Sequence, residues 1–131
     1  MRKYTAEKYI KLVENINDAI LQSQMKAEIG VISKVKDSKN KTFIDLGAGH
    51  GRILPDLARI ARNVISIEIN PGMLVELRKR TKMYKNAVAI KGDIQELSKL
   101  LKKLDVKNPV LMLTQNTLGT IEGIIKRCFQ K

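Results

Sequence analysis

Residues 41–54, Lys-Thr-Phe-Ile-Asp-Leu-Gly-Ala-Gly-His-Gly-Arg-Ile-Leu, constrain this chain more than any other stretch. Thr42, Phe43, Ile44 and Leu46 are β-branched, aromatic or aliphatic, which suits a short buried strand with Asp45 near its end. Gly47, Gly49 and Gly51 follow at alternate positions. Lacking a Cβ, they allow a sharp turn at positive φ and a close approach of ligand to backbone. Ile53, Leu54, Leu57, Ala58 and Ala61 then recur at helical spacing. Strand, glycine loop and helix in that order aim a helix N-terminus at a bound group.

The totals narrow the class. A chain of 131 residues with 44% hydrophobic content is long enough for one domain with a real core. No apolar run approaches the roughly 18 residues of a membrane span, and the N-terminus lacks a signal-peptide pattern. One cysteine, Cys128, excludes an intrachain disulfide, so a cytoplasmic location is expected. The net charge of +12 is consistent either with an anionic partner such as RNA or with a lysine-rich solvated surface. Its densest run is Arg78-Lys79-Arg80-Thr81-Lys82, and with three tyrosines, two phenylalanines and no tryptophan, stacking platforms for single-stranded bases are scarce.

Periodicity along the chain gives the architecture. Residues 4–29 read as one helix, with Thr5 as N-cap, a Tyr9, Val13, Ile16 and Ile20 stripe, and Gly30 ending or interrupting it, after which Val31, Ile32 and Val35 suggest a further helical turn. Residues 1–40 form an N-terminal helical segment, either a lid over the glycine loop or a packing element; residues 41–131 form the main domain. Asn63–Glu68 reads as a second strand and Pro71 opens the next helix, with Met73, Leu74, Leu77 and Thr81 inward. Ala87–Lys91 is a third strand, and Ile94, Leu97, Leu100, Leu101 and Leu104 are helical. Pro109–Leu113 is a fourth strand, with a last helix carrying Ile121, Ile124, Ile125 and Phe129. The alternation predicts an α/β, Rossmann-like parallel sheet of about four strands in the order 3-2-1-4, flanked by helices. Strand four would be an open edge, available to a second copy or a partner.

Polar groups converge at the strand ends, where open α/β sheets bind ligands. They are Asp45 with the glycines, Glu68, Asp93, and then Gln115 and Asn116. An acid at Glu68 can accept both hydroxyls of a ribose, and Asp93 can accept from an adenine amino group. The third glycine comes one residue early for a G-x-G-x-x-G dinucleotide fingerprint, which disfavours a nicotinamide-dependent oxidoreductase. No metal site is expected. His50, the sole histidine, reads as a solvated or loop-packing residue ahead of a catalytic base.

Asp45-Leu-Gly-Ala-Gly-His-Gly-Arg-Ile53 resembles motif I of the class I S-adenosylmethionine-dependent methyltransferases. Ile65-Ser-Ile-Glu-Ile-Asn-Pro71 and Lys91-Gly-Asp-Ile94 are similar to the two motifs that follow it. The resemblance implies S-adenosylmethionine as cofactor. Gly47, Ala48, Gly49 and Gly51 would then line its methionine and ribose side, with Asp45 toward the ammonium. Glu68 and Ile69 would lie at the ribose, Met73, Gly92, Asp93 and Ile94 at the adenine, and Gln115 again near the ammonium. It also implies methyl transfer to a protein lysine or a small-molecule amine, with RNA as an acceptor suggested by charge. Tyr4, Tyr9 and Asn116 are the candidates on the acceptor side. The chain departs from the family in having four strands rather than seven, in lacking an Asp-Pro-Pro-Tyr type motif after strand four, and in showing no general base. The rival readings are a non-catalytic or partner-dependent cofactor-binding module and a basic RNA-binding relative.

Overall fold

The computed structural model describes residues 5–14 and 19–114. Two helices, α1 (Ala6–Glu14) and α2 (Ala19–Ser33), precede β1 (Thr42–Leu46), α3 (Leu54–Ile60), β2 (Asn63–Glu68) and α4 (Pro71–Thr81). Then come β3 (Ala87–Lys91), α5 (Leu97–Leu104) and β4 (Val110–Met112). All strand pairs are parallel and the order is β3-β2-β1-β4, as the alternation predicts. The order reverses at β1, which places a switch point between β1 and β4.

Strand alternation divides the core between the two faces of the sheet. Phe43 and Val64 face a cluster that includes Leu54 and Leu57 of α3, Ile32 of α2 and Met112. Ile44, Leu46 and Ile67 point the other way, against Leu97, Leu100, Leu101 and Leu104 of α5. Phe43, Ile44, Leu57 and Ile67 are fully buried, each contributing roughly 1.5–3 kcal/mol by area. Packing α5 opposite α3 fits β4 beside β1, since the chain must leave the α3 face to reach that side.

Several boundaries differ from the periodicity. Residues 4–29 are not one described helix: α1 ends at Glu14 and α2 starts at Ala19. Gly30 lies inside α2, with open space where a Cβ would be. A mid-helix glycine costs only about 1 kcal/mol, and continuing to Ser33 buries Ile32 and brings Val35 against the core. The extended Tyr9 stripe fails at Ile20, which is 80% exposed because α2 presents a different face inward. The helix after the glycines begins at Leu54, since residues 51–53 form a turn closed by Leu54 N–H to Gly51 O at 3.2 Å. A short 3-10 turn, Ile94–Glu96, precedes α5, and β4 is shorter than the apolar run because Pro109 has no N–H to give a ladder. The last expected helix, with Cys128, lies outside the described residues. No described helix is long and apolar enough to cross a membrane.

Candidate functional site

The glycine loop is shaped by three left-handed residues, Gly47 at φ 74°, Gly49 at φ 60° and Gly51 at φ 89°. The N–H groups of Gly47 and Ala48 both donate to Ile67 O at 2.9 Å, which fastens the loop across β2. The glycines answer different needs. A Cβ on Gly51 would sit 3.0 Å from Leu77 Cδ1, so that position is closed by packing. Around Gly49 nothing lies within 4 Å of where a Cβ would be. A ligand can therefore reach the backbone at Gly49.

Glu68 ends β2 and turns its carboxylate onto the loop. Oε2 accepts from Gly49 N at 2.6 Å, and Oε1 accepts from Ile69 N and Asn70 N, both at 3.0 Å. Its backbone carbonyl accepts from Gly92 N at 3.2 Å, so the turns after β1, β2 and β3 are tied at one point. Asp93 caps the 3-10 turn, Oδ1 accepting from Gln95 N at 2.9 Å. Asn70 Oδ1 caps α4 by accepting from Met73 N at 3.1 Å, which fixes where the half-buried Met73 sits. Ile69 is 52% exposed, and Ile94 is half-buried against the α5 cluster.

Asp45 is the most perturbed group. It is buried in β1, its Oδ1 has no hydrogen-bond partner, and its pKa is raised to about 7. Burial is the main cause; the Arg52 guanidinium opposes it, and Glu68 and Glu28 add to it. The same sheet face carries a second orphan, Ser66 Oγ, at the register position opposite Asp45. A third, Arg52 Nη1, belongs to a side chain whose Nη2 donates to Glu28 of α2 at 2.8 Å.

Arg52 and Glu28 escaped the sequence reading. Arg52 directly follows the third glycine, which was the available signal; Glu28 is 24 residues away and joins only through the fold of α2. His50 proves to be a packing residue, 3% exposed rather than solvated. Its ring meets Tyr9 of α1 edge-on at 6.3 Å; burial and then Arg80 lower its pKa, against the opposing pull of Glu14 at 4.0 Å. Tyr9 thus stands against the glycine loop. Tyr4, Gln115 and Asn116 lie outside the described residues. Beside the switch point, an open groove of about 490 Å³ runs between Gln24, Glu28 and Val31 of α2 and residues 111–114.

These features fit S-adenosylmethionine. A buried carboxyl with a free acceptor atom suits an ammonium, the open backbone at Gly49 suits close approach, an acid ends β2, and Asp93 follows β3 by two residues.

Comparison with known proteins agrees. A family model described as a methyltransferase domain matches residues 37–130. Among curated relatives, the ribosomal RNA small subunit methyltransferase A of Caldanaerobacter subterraneus is 37% identical over 57 residues, covering 44% of this chain and 21% of that protein. The dimethyladenosine transferase of Saccharomyces cerevisiae is 26% identical over 84 residues, covering 62% and 26%. The chain therefore spans only about a quarter of the length of these relatives. Among solved structures, an rRNA methylase from Streptococcus thermophilus superposes with a TM-score of 0.60 at 16% identity, covering 79% of this chain and 61% of that one. Glycine loop, sheet order and family match converge: the chain belongs to the methyltransferase-domain family, the class I fold whose cofactor is S-adenosylmethionine.

Proposed function

We propose that this chain binds S-adenosylmethionine at the C-terminal edge of its sheet and takes part in methyl transfer to RNA. The single observation that carries the cofactor assignment is the buried, unpartnered Asp45 carboxyl beside the left-handed glycine turn. S-adenosylmethionine, when bound, supplies an electrophilic sulfonium methyl that an acceptor nitrogen can take by in-line displacement. The chain's own contribution is alignment and exclusion of water. Asp45 would accept from the ammonium, Glu68 from the ribose hydroxyls and Asp93 from the adenine amino group. Met73 and Ile94 would flank the ring, with Ile69 beside the ribose, and the groove beside α2 would face the acceptor.

RNA is favoured as acceptor by the ribosomal RNA methyltransferases among the curated relatives and by the net charge of +12. The expectation of a protein lysine rests on the Gly49-His-Gly-Arg-Ile53 and Glu68-Ile-Asn-Pro71 forms, and that of a small amine on residues 115–119, which lie outside the described part. Calorimetric titration with S-adenosylhomocysteine and NAD tests the cofactor: saturable binding of the first only, weakened in Asp45→Leu, is the expected result. Binding of NAD alone would overturn it. Transfer of labelled methyl into ribosomal RNA, against protein and small-amine mixtures, tests the acceptor. A second reading is a cofactor-binding module that needs a partner. It predicts tight S-adenosylhomocysteine binding with no transfer to any acceptor.

A further inference from the structure

Because every strand is parallel, all four strand starts lie on one edge of the sheet, opposite the glycine loop. The charges differ between the two edges. The C-terminal edge carries Asp45, Glu68, Asp93 and Glu96 together with Arg52 and Lys91. The opposite edge carries Lys39 and Lys41 before β1, Arg62 before β2, Lys85 before β3 and Lys107 before β4. None of these five has an ion-pair partner among the described residues, and all but the half-buried Lys41 are exposed. The acids found there, Asp37 and Asp105, are at left-handed turn positions with φ 54° and 48°.

Helix dipoles do not account for this rim. They favour the cations in last helical turns, such as Arg78 to Arg80 and Lys102 to Lys103. Lys39 lies in a single 3-10 turn, Ser38–Asn40, and the other four rim cations lie in the loops beyond the α-helical turns. The loops are also held in place. Arg62 N donates to Lys41 O at 3.0 Å, and Val64 N donates to Asn86 O at 2.8 Å. Asn86 Nδ2 donates to Ala58 O at 2.9 Å and Ala61 O at 3.2 Å. The rim is thus a row of cations without ion-pair partners among the described residues, on loops whose backbone is tied at the starts of β1, β2 and β3, about 15 Å long at roughly 4.8 Å per strand. A row in which five cations outnumber two acids suits a polyanion whose charges repeat along a chain, and it releases counterions on binding.

We infer that this N-terminal rim of the sheet docks the sugar-phosphate backbone of RNA. It lies about 17 Å, one five-residue strand, from the glycine loop. The inference rests on RNA being the acceptor: the rim holds one part of a folded RNA while another part reaches the opposite edge. Contacts there set affinity and orientation and carry no base readout.

The test is anisotropy titration of a fluorescein-labelled RNA stem-loop across a range of KCl concentrations. It compares the parent with Arg62→Glu/Lys85→Glu/Lys107→Glu and with Lys8→Glu/Lys26→Glu/Lys99→Glu, which changes net charge equally at exposed sites elsewhere. An Arg62→Gln/Lys85→Gln/Lys107→Gln variant guards against disruption by the new acids. Loss of three phosphate contacts makes the slope of log K against log salt shallower by about 2–3 in both rim variants, and much less in the control. Equal weakening in rim and control variants would assign the effect to net charge and overturn the inference, as would undiminished binding in the rim variants or none in the parent. S-adenosylhomocysteine calorimetry on the same proteins reads the cofactor assignment separately. Methyl incorporation reads the acceptor: RNA bound at the rim but never methylated sinks the acceptor and leaves the rim standing.

Discussion

Replacing Glu68 by Gln perturbs the loop and leaves the core untouched. The carboxylate accepts from three backbone N–H groups, Gly49 at 2.6 Å and Ile69 and Asn70 at 3.0 Å, and it is only 9% exposed. A glutamine retains one acceptor oxygen. It can keep Ile69 and Asn70, though as weaker neutral bonds, and then its amide NH₂ faces the Gly49 N–H, donor against donor. Loss of one charge-assisted bond costs about 1.5–3 kcal/mol, and leaving the donor half-buried adds to that. A total of about 2–3 kcal/mol is expected, which at about 3.6 °C per kcal/mol for a chain of this size lowers the melting temperature by about 7–11 °C. Thermal unfolding followed by circular dichroism, with no ligand added, isolates this anchoring from any role in binding. Glu68→Asp is the companion variant. It keeps the charge but is one methylene short of spanning both sets of donors, so it should fall between parent and Gln. A Gln variant that melts with the parent would refute the claim that this carboxylate holds the glycine turn.

The remaining predictions follow from the same geometry. Gly49→Ala should lower melting temperature slightly, by the roughly 1 kcal/mol of a left-handed alanine, yet weaken S-adenosylhomocysteine in calorimetry; Gly51→Ala should cost clearly more stability, since its methyl also meets Leu77. Asp45, with its pKa raised to about 7, binds its proton more tightly folded than unfolded. That stabilisation is fully present below the unfolded pKa of about 4 and is lost as pH rises toward 7; Asp45→Asn should flatten this fall in denaturant titrations between about pH 5 and pH 8. The parent's affinity for S-adenosylhomocysteine should rise over the same range, as the ionised form accepts the ammonium. Leu57→Ala, at a fully buried site, should cost about 2–5 kcal/mol in denaturant unfolding with the same m-value.

The strands and the cofactor loop were legible because short-range patterns encode them. Asn63–Glu68 and Ala87–Lys91 carry the β-branched runs of a buried parallel strand, and the structure gives them those bounds. The glycines at 47, 49 and 51 announced a left-handed turn, and all three have positive φ. Strand order was legible too, since the alternation of strands and helices leaves few parallel arrangements. What the sequence alone left undecided depends on contacts between distant residues. The Tyr9 periodicity could not say where α1 stops, although Val31, Ile32 and Val35 did mark helix beyond Gly30. Nothing near Glu28 indicates that it reaches Arg52, or that Arg52 in turn moderates a buried Asp45. The same holds for the charge: the sequence sets it at +12 and spreads it along the chain, while the parallel sheet gathers five cations without ion-pair partners among the described residues along one edge. Local stereochemistry is written residue by residue. Burial, pKa and the shape of the electric field are sums over neighbours in space, and only the folded arrangement decides who those neighbours are.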